Sequence, residues 1–394
     1  MIVRAVKYPL RLVRRKLKDW NTYRFVSSSV DRTGDITFNF NTFKENVLTF
    51  VNSLQVDDIG TQFKYSQQAT QPTLYASAYA CMTYSLLGAL DGFTSKRKSD
   101  WISYFDSFQR SSDGLFYDVA VQNEHYDNSD WWGARHLAVH MISAYTQLGA
   151  KPAYRFKFLE PYYDLTFLEQ FMRNNEWAFD GPMDNDFDNK LMNLGCLLQY
   201  QRDFFGDSQA GKSIMFIQKF LLNKINSKTG IWGDDSLNND DIRSRKVQFA
   251  YHLFPLFFYD NIYEFDIEKV IDVTLQTQNR FGGYGVKANS SACEDIDSVD
   301  ILVRLGGIGN LDRSRIQESL AKALKWNCLN QVKDGGFVFR LNESFIYGHP
   351  QLGSLPDQGA IFPTWFRTLN MAYLCSGLEM PTKFNIVRCP GYEF

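Results

Sequence analysis

Four short segments of this sequence carry a glycine, one further residue and then an aromatic: Gly114-Leu115-Phe116, Gly230-Ile231-Trp232, Gly282-Gly283-Tyr284 and Gly335-Gly336-Phe337. Gly181-Pro182-Met183 is a degenerate fifth, and successive first glycines lie 67, 49, 52 and 53 residues apart. Three of the segments have a glutamine just upstream (Gln109, Gln278 and Gln331), so QRSSDGLF, QNRFGGY and QVKDGGF are versions of one element. A unit repeated about every fifty residues cannot bury its apolar face alone, so it must stack on its neighbours.

Each element follows one helical pattern and precedes another. The apolar periodicity predicts helices near 40–54, 72–90, 97–110, 131–148, 160–174, 187–204, 211–226, 243–259, 265–278, 296–306, 313–330 and 360–377. Those twelve make six hairpins, and strand signals are nearly absent. Leu87-Gly88, Leu148-Gly149, Leu305-Gly306 and Ser376-Gly377 read as helix ends closed by a C-cap glycine. The expected organisation is a basic amphipathic helix over 1–25, a lead-in with the first outer helix over 26–70, a helical domain over 71–380 and a tail over 381–394. Spacing alone does not distinguish a closed ring from an open solenoid.

The bulk numbers exclude several classes. Formal net charge over 394 residues is −2, which gives no global drive toward nucleic acid. The six cysteines form no C-x-x-C pair and read as free cytosolic thiols. No apolar run reaches the roughly 18–20 residues of a membrane span. No glycine-rich phosphate loop or nucleotide fingerprint is present. Aromatics make up 16% of the chain, which suits either a thick core or an aromatic-lined cavity.

Residues 1–20 contain seven cations: Arg4, Lys7, Arg11, Arg14, Arg15, Lys16 and Lys18. Val3, Val6, Leu10, Val13, Leu17 and Trp20 form one stripe at helical spacing, and no uninterrupted apolar stretch of a secretory signal follows. Such a helix suits an anionic membrane surface; the alternative is a helix packed on the main domain with its charges solvated. The expected location is cytoplasmic, peripheral at the inner membrane face in the first case.

The Q-x(3–4)-G-x-aromatic element resembles the repeat of squalene-hopene cyclases, within the terpenoid cyclase and protein prenyltransferase family. The resemblance covers residues 70–378 and implies an all-α (α/α)6 toroid of six helical hairpins, in which the glutamine caps a helix end and the aromatic packs between hairpins. Glu294-Asp295-Ile296-Asp297-Ser298-Val299-Asp300 resembles the Asp-x-Asp-Asp acid motif of class II terpene cyclases, with Ser298 in place of the fourth acid. The resemblance implies that Asp295 and Asp297 form an acid pair that protonates an alkene or epoxide, which requires a raised carboxyl pKa. The alternative reading is a solvated helix start capped by Asp and Ser. Asn370 stands where prenyltransferase β-subunits place a zinc-binding His, and Asp297 is followed two residues later by Val299 rather than Cys, so no zinc site is expected.

Acids also gather in the loops after each element, including Asp127, Asp130, Asp184, Asp186, Asp188 and Asp357. In a toroid of this family they would line one rim, able to act as general acid and base, or as acid and nucleophile on sugars; repeated N-capping is the plainer account. Oxygen ligands of this kind could hold Mg²⁺, but no specific motif supports a metal or any other cofactor. The segment 125–136 adds Trp131, Trp132 and His136, the last sharing a helical face with His140. One indole of the pair is expected in the core, and HLAVH lacks the Glu of a zinc protease. The long loop 340–360 offers His349 and Asp357 as polar contributors, and the final helix offers Trp365 and Arg367 for substrate contact.

Three functions follow as expectations. The first is an enzyme acting by acid catalysis on an isoprenoid or polyprenyl-linked substrate. The second is a carbohydrate-active toroid: a glycan hydrolase, a lyase or an enzyme of surface-polysaccharide synthesis. The third is a non-enzymatic binding scaffold. The expected partners are a small-molecule or lipid-linked substrate and the membrane surface, with no nucleic acid.

Overall fold

The structure is a computed structural model that describes residues 19–31, 38–308 and 313–392. Twelve α-helices form its frame. The odd members form an outer layer: α1 (Phe40–Ser53), α3 (Ser95–Asp106), α5 (Leu165–Asn174), α7 (Ser208–Leu222), α9 (Ile267–Leu275) and α11 (Ser314–Leu329). The even members form the inner layer: α2 (Leu74–Leu86), α4 (Ala134–Gln147), α6 (Phe187–Phe205), α8 (Asp240–Phe258), α10 (Ala292–Gly306) and α12 (Ile361–Gly377). Each expected helix is present. Each inner helix packs on the next, and α12 packs back on α2, so the chain is a closed (α/α)6 toroid rather than an open solenoid.

The two layers differ as burial requires. Every residue of α2 is buried, as is α12 from Ile361 to Cys375. Outer α5 buries only Leu168 and Met172 on one stripe. Side-chain caps start many helices, among them Thr73 on α2, Asp207 on α7 and a full capping box, Ser291 with Glu294, on α10. Of the four expected C-cap glycines, Gly88 and Gly149 take left-handed geometry (φ +66° and +70°). Gly306 and Gly377 instead stay in the last turn of their helices. A Cβ there would lie 2.9 Å from Ile316 and 2.7 Å from Leu320, so these two glycines permit close helix packing rather than reversal.

The repeated element braces adjacent hairpins. Gln109 donates to the Gly114 carbonyl (2.8 Å) and to the Tyr154 carbonyl of the next hairpin (2.9 Å), and accepts from the Tyr154 N–H. Gln278 repeats this with Gly282 and Ser319. Phe116, Trp232, Tyr284 and Phe337 are fully buried behind these turns. The last turn, at Gly335, lies against Asn46 of α1, so it joins the end of the series to its beginning.

Loop 340–360 holds a two-stranded antiparallel ribbon, β1 (Phe345–Ile346) with β2 (Gly353–Ser354), which the sequence did not announce. Residues 1–18, most of the basic amphipathic stretch, lie outside the described residues. Residues 19–31 are helical, and Val26 is buried with Trp326, Val338 and Leu341. The tail crosses the opposite end of the ring, where the Asn385 N–H donates to the Leu86 carbonyl, and it delivers Tyr392 to the ring axis against His140 (centroids 5.5 Å, 11°). No described helix is long and apolar enough to cross a membrane.

Gly335 tests the brace. Its φ is +90°, and a Cβ would sit 2.3 Å from the Asn46 carbonyl oxygen, a backbone atom that cannot yield alone. Gly335→Ala is expected to cost more than about 2 kcal/mol in urea unfolding.

Candidate active site

The N-termini of the inner helices converge on one end of the ring, and a pocket of about 330 Å³ opens between them. Asp297 lies on its wall. The capping box fixes the first turn of α10, and the 100° step per residue then sends Asp295 and Asp297 to nearly opposite faces.

Their surroundings differ accordingly. Asp295 faces away from the pocket and accepts from Arg367 (2.9 Å), the Trp326 indole (2.9 Å), the Ser290 hydroxyl (2.7 Å) and the Tyr284 N–H (2.8 Å). Arg367 is fully buried and also donates to the carbonyls of Val338 and Phe339. Both therefore hold the repeat element, and neither lines the pocket, where an acid pair and a substrate contact were expected of them. Asp297 is 2% exposed, and its Oδ2 is buried without a hydrogen-bond partner. Burial, reinforced by Glu294, pushes its pKa well above the ordinary carboxylate value and so favours its protonated form.

Across the pocket lies a second constellation. Asp188, fully buried on α6, accepts two 2.9 Å bonds from Arg245 and one of 2.7 Å from His252 Nδ1. Burial alone would raise the Asp188 pKa, but His252 and Arg245 outweigh it and hold it below the usual value. Of DNDFD at 184–188, only Asp188 turns inward; Asp184 and Asp186 are exposed. A His oriented through Nδ1 by a carboxylate has Nε2 available as a base. Arg340 is held by Glu294 (2.7 Å), and Asn189 and Gln248 complete the polar lining.

The remaining candidates separate by position. Trp131, 43% exposed, and His136 line the pocket. The His136 ring bonds the Tyr347 hydroxyl (2.9 Å), and burial lowers its pKa to about 3, so it is neutral. Trp132 is core, against Tyr126 and Gly348. Trp365 is buried beneath the pocket between Tyr79 and Tyr392, away from its lining. Asp130 pairs with Arg135 (2.8 Å), and Asp127 is exposed beside Tyr117; neither lines the pocket. His349 caps a short 3₁₀ turn, and Asp357 is exposed. The structure thus sets Asp127, Asp130, Asp186, Trp132, His349, Asp357 and Trp365 apart from the pocket. Sequence reading passed over Arg245, His252, Arg340 and Tyr347, which no motif marks. Cys293 lines the pocket too, but burial and Asp297 raise its thiol pKa, which removes thiolate reactivity. Among the described residues, no group of three or more His, Cys, Asp or Glu is placed to hold a metal ion.

No family model matches the sequence, and no curated protein matches it either. Solved structures with a similar chain path include a polysaccharide lyase (11% identity, TM-score 0.46, 87% of this chain and 99% of that one). Others are a GH76 α-mannanase of Bacteroides thetaiotaomicron (11%, 0.45, 86% and 95%) and a possible GH105 member from Salmonella enterica serovar Paratyphi A (12%, 0.45, 88% and 95%). At these identities and scores the likenesses say nothing about chemistry. They do not show a terpenoid cyclase.

The raised pKa of Asp297 has a measurable consequence for stability. Above the ordinary carboxylate range the unfolded chain releases this proton while the folded chain keeps it. Stability therefore falls as pH rises toward the raised native pKa. Asp297→Asn removes that loss. Urea unfolding at pH 5 and pH 8 is expected to show the variant gaining on wild type at the higher pH.

Proposed function

We propose that this protein is a carbohydrate-active enzyme in which Asp297 acts as general acid on a glycosidic bond. The observation that carries the reading is the buried carboxyl of Asp297, whose Oδ2 has no hydrogen-bond partner and whose pKa burial raises, in a pocket that mixes aromatic faces with planar hydrogen-bonding groups. Trp131 and Phe345 offer stacking surfaces; Asn189, Gln248, Arg245 and Arg340 offer directed donors and acceptors, the combination a polyhydroxylated ring requires.

In the reaction, Asp297 gives its proton to the glycosidic oxygen as the C–O bond breaks, so the leaving sugar departs as an alcohol. His252, steadied by Asp188, takes a proton from the water whose oxygen bonds to the anomeric carbon. Asp297 ends as a carboxylate and His252 as an imidazolium, and proton return through solvent restores both.

A second reading is acid-initiated chemistry on an isoprenoid. The specific observation favouring it is the aromatic wall of Phe339, Phe362, Phe366 and Tyr392, whose faces would stabilise a carbocation. The polar half of the lining favours the glycan.

The test is incubation of wild type and Asp297→Asn with a panel of oligosaccharides and, in parallel, with polyprenyl diphosphates, followed by product mass. Cleavage of an oligosaccharide by wild type, reduced about 10²–10⁴-fold in Asp297→Asn, is expected. The wild-type rate should fall at alkaline pH as Asp297 loses its proton. Conversion of prenyl substrates alone would overturn the glycan reading.

A further inference from the structure

We infer that the pocket takes the end of a glycan chain rather than its interior, because the C-terminal tail of the protein fills the ring axis and stops the pocket at Tyr392. The inference deepens the glycan reading and rests on it. The tail enters where the inner helices finish. The Asn385 N–H donates to the carbonyl of Leu86, the last residue of α2. Cys389 Sγ accepts from the Thr146 hydroxyl in the last turn of α4 (3.6 Å). Gly391 then reaches mid-ring: a Cβ there would stand 3.3 Å from Val139 of α4 and 3.6 Å from Cys196 of α6. Tyr392 lies further along, against Trp365 and Phe366 near the start of α12 (ring centroids 5.2 and 5.7 Å), and stacks on His140 (5.5 Å). Residues 389–392 are all buried. The tail therefore runs back along the axis from one end of the ring toward the other.

Its tip belongs to the site. Tyr392 lines the same pocket as Asp297 and His252, and Asp297 lies close enough to its phenol to raise the phenol's pKa. Tyr251, Phe366 and Tyr392 are buried and form the inner wall, whereas Trp131, Arg245 and Arg340 reach solvent and mark the mouth.

An acid that works on the interior of a polymer needs an open cleft, so that the chain can leave in both directions. Here the acid stands beside the wall that ends the pocket. A volume of about 330 Å³ is also at the small end for a ligand pocket, with room for a terminal sugar and little more. A chain pushed deeper would meet a packed core, which excludes it sterically. Tyr392 is thus a specificity-determining residue: the bulk of its ring, not its hydroxyl, sets the depth at which the chain stops.

The experiment is a time course on hexamers labelled at the reducing end with 2-aminobenzamide, drawn from neutral, amino-sugar and uronate series, with products sized by chromatography. Wild type is expected to shorten the hexamer it accepts by one sugar at a time from a single end, so that pentamer precedes every shorter chain. Tyr392→Gly should release disaccharide in its first step, the ratio of disaccharide to monosaccharide rising on the order of tenfold. Tyr392→Phe keeps the ring and should keep the wild-type pattern. The ratio is read from product already formed, so it does not depend on how much of the Gly variant is folded, and the wild-type pattern decides the chain-end question without any variant. Trimer among the first wild-type products would overturn the inference and leave the glycan reading standing. Release of monosaccharide alone by Tyr392→Gly would overturn the role of Tyr392. Cleavage of no hexamer would overturn the glycan reading, and this inference with it.

Discussion

Closure of α12 onto α2 is the contact on which the rest depends. Without it the inner helices would line an open groove, and their almost wholly apolar surfaces would meet water. The outer layer makes closure possible at the correct diameter. The turns at Gly114, Gly230 and Gly282 each set one hairpin against the next, and the Gly335 turn of the sixth hairpin meets α1, where the circle closes. The tail crosses the far end and brings Tyr392 against His140, where it also lines the pocket.

The site uses this closure in two opposed ways. At Asp295, burial is matched by four donors, one of them a guanidinium, and the carboxylate becomes part of the frame. At Asp297, two residues on, burial is unmatched at Oδ2 and favours the protonated form. A buried carboxyl with a raised pKa opposes folding as pH rises, the pattern expected where a group is held for chemistry rather than for the fold. Asp188 shows the converse arrangement, an ionised buried carboxylate whose partners face the pocket.

Much of the frame was legible because helix periodicity and turn chemistry are local. Gln109, Gly114 and Phe116 announce their turn from eight residues of sequence. The site was legible only in part. A run of acids marks where helices begin, and several of those acids, Asp186 and Asp357 among them, simply face solvent. Which acid turns inward is decided by helix phase against the ring axis. His252 and Arg245 carry no motif, because they lie a full turn or more inside α8 and gain meaning only when Asp188 arrives from α6.

By itself the sequence determined the number of helices, their pairing into six hairpins and the glycine-aromatic brace, since each follows from contacts within about fifty residues. Tertiary structure alone decided that the hairpins close into a ring, that Asp295 serves the frame while Asp297 meets the pocket, and that Asp188, Arg245 and His252 face it together. Those outcomes depend on side chains brought together from distant helices, and on how little water reaches each of them. Neither quantity is encoded in local spacing.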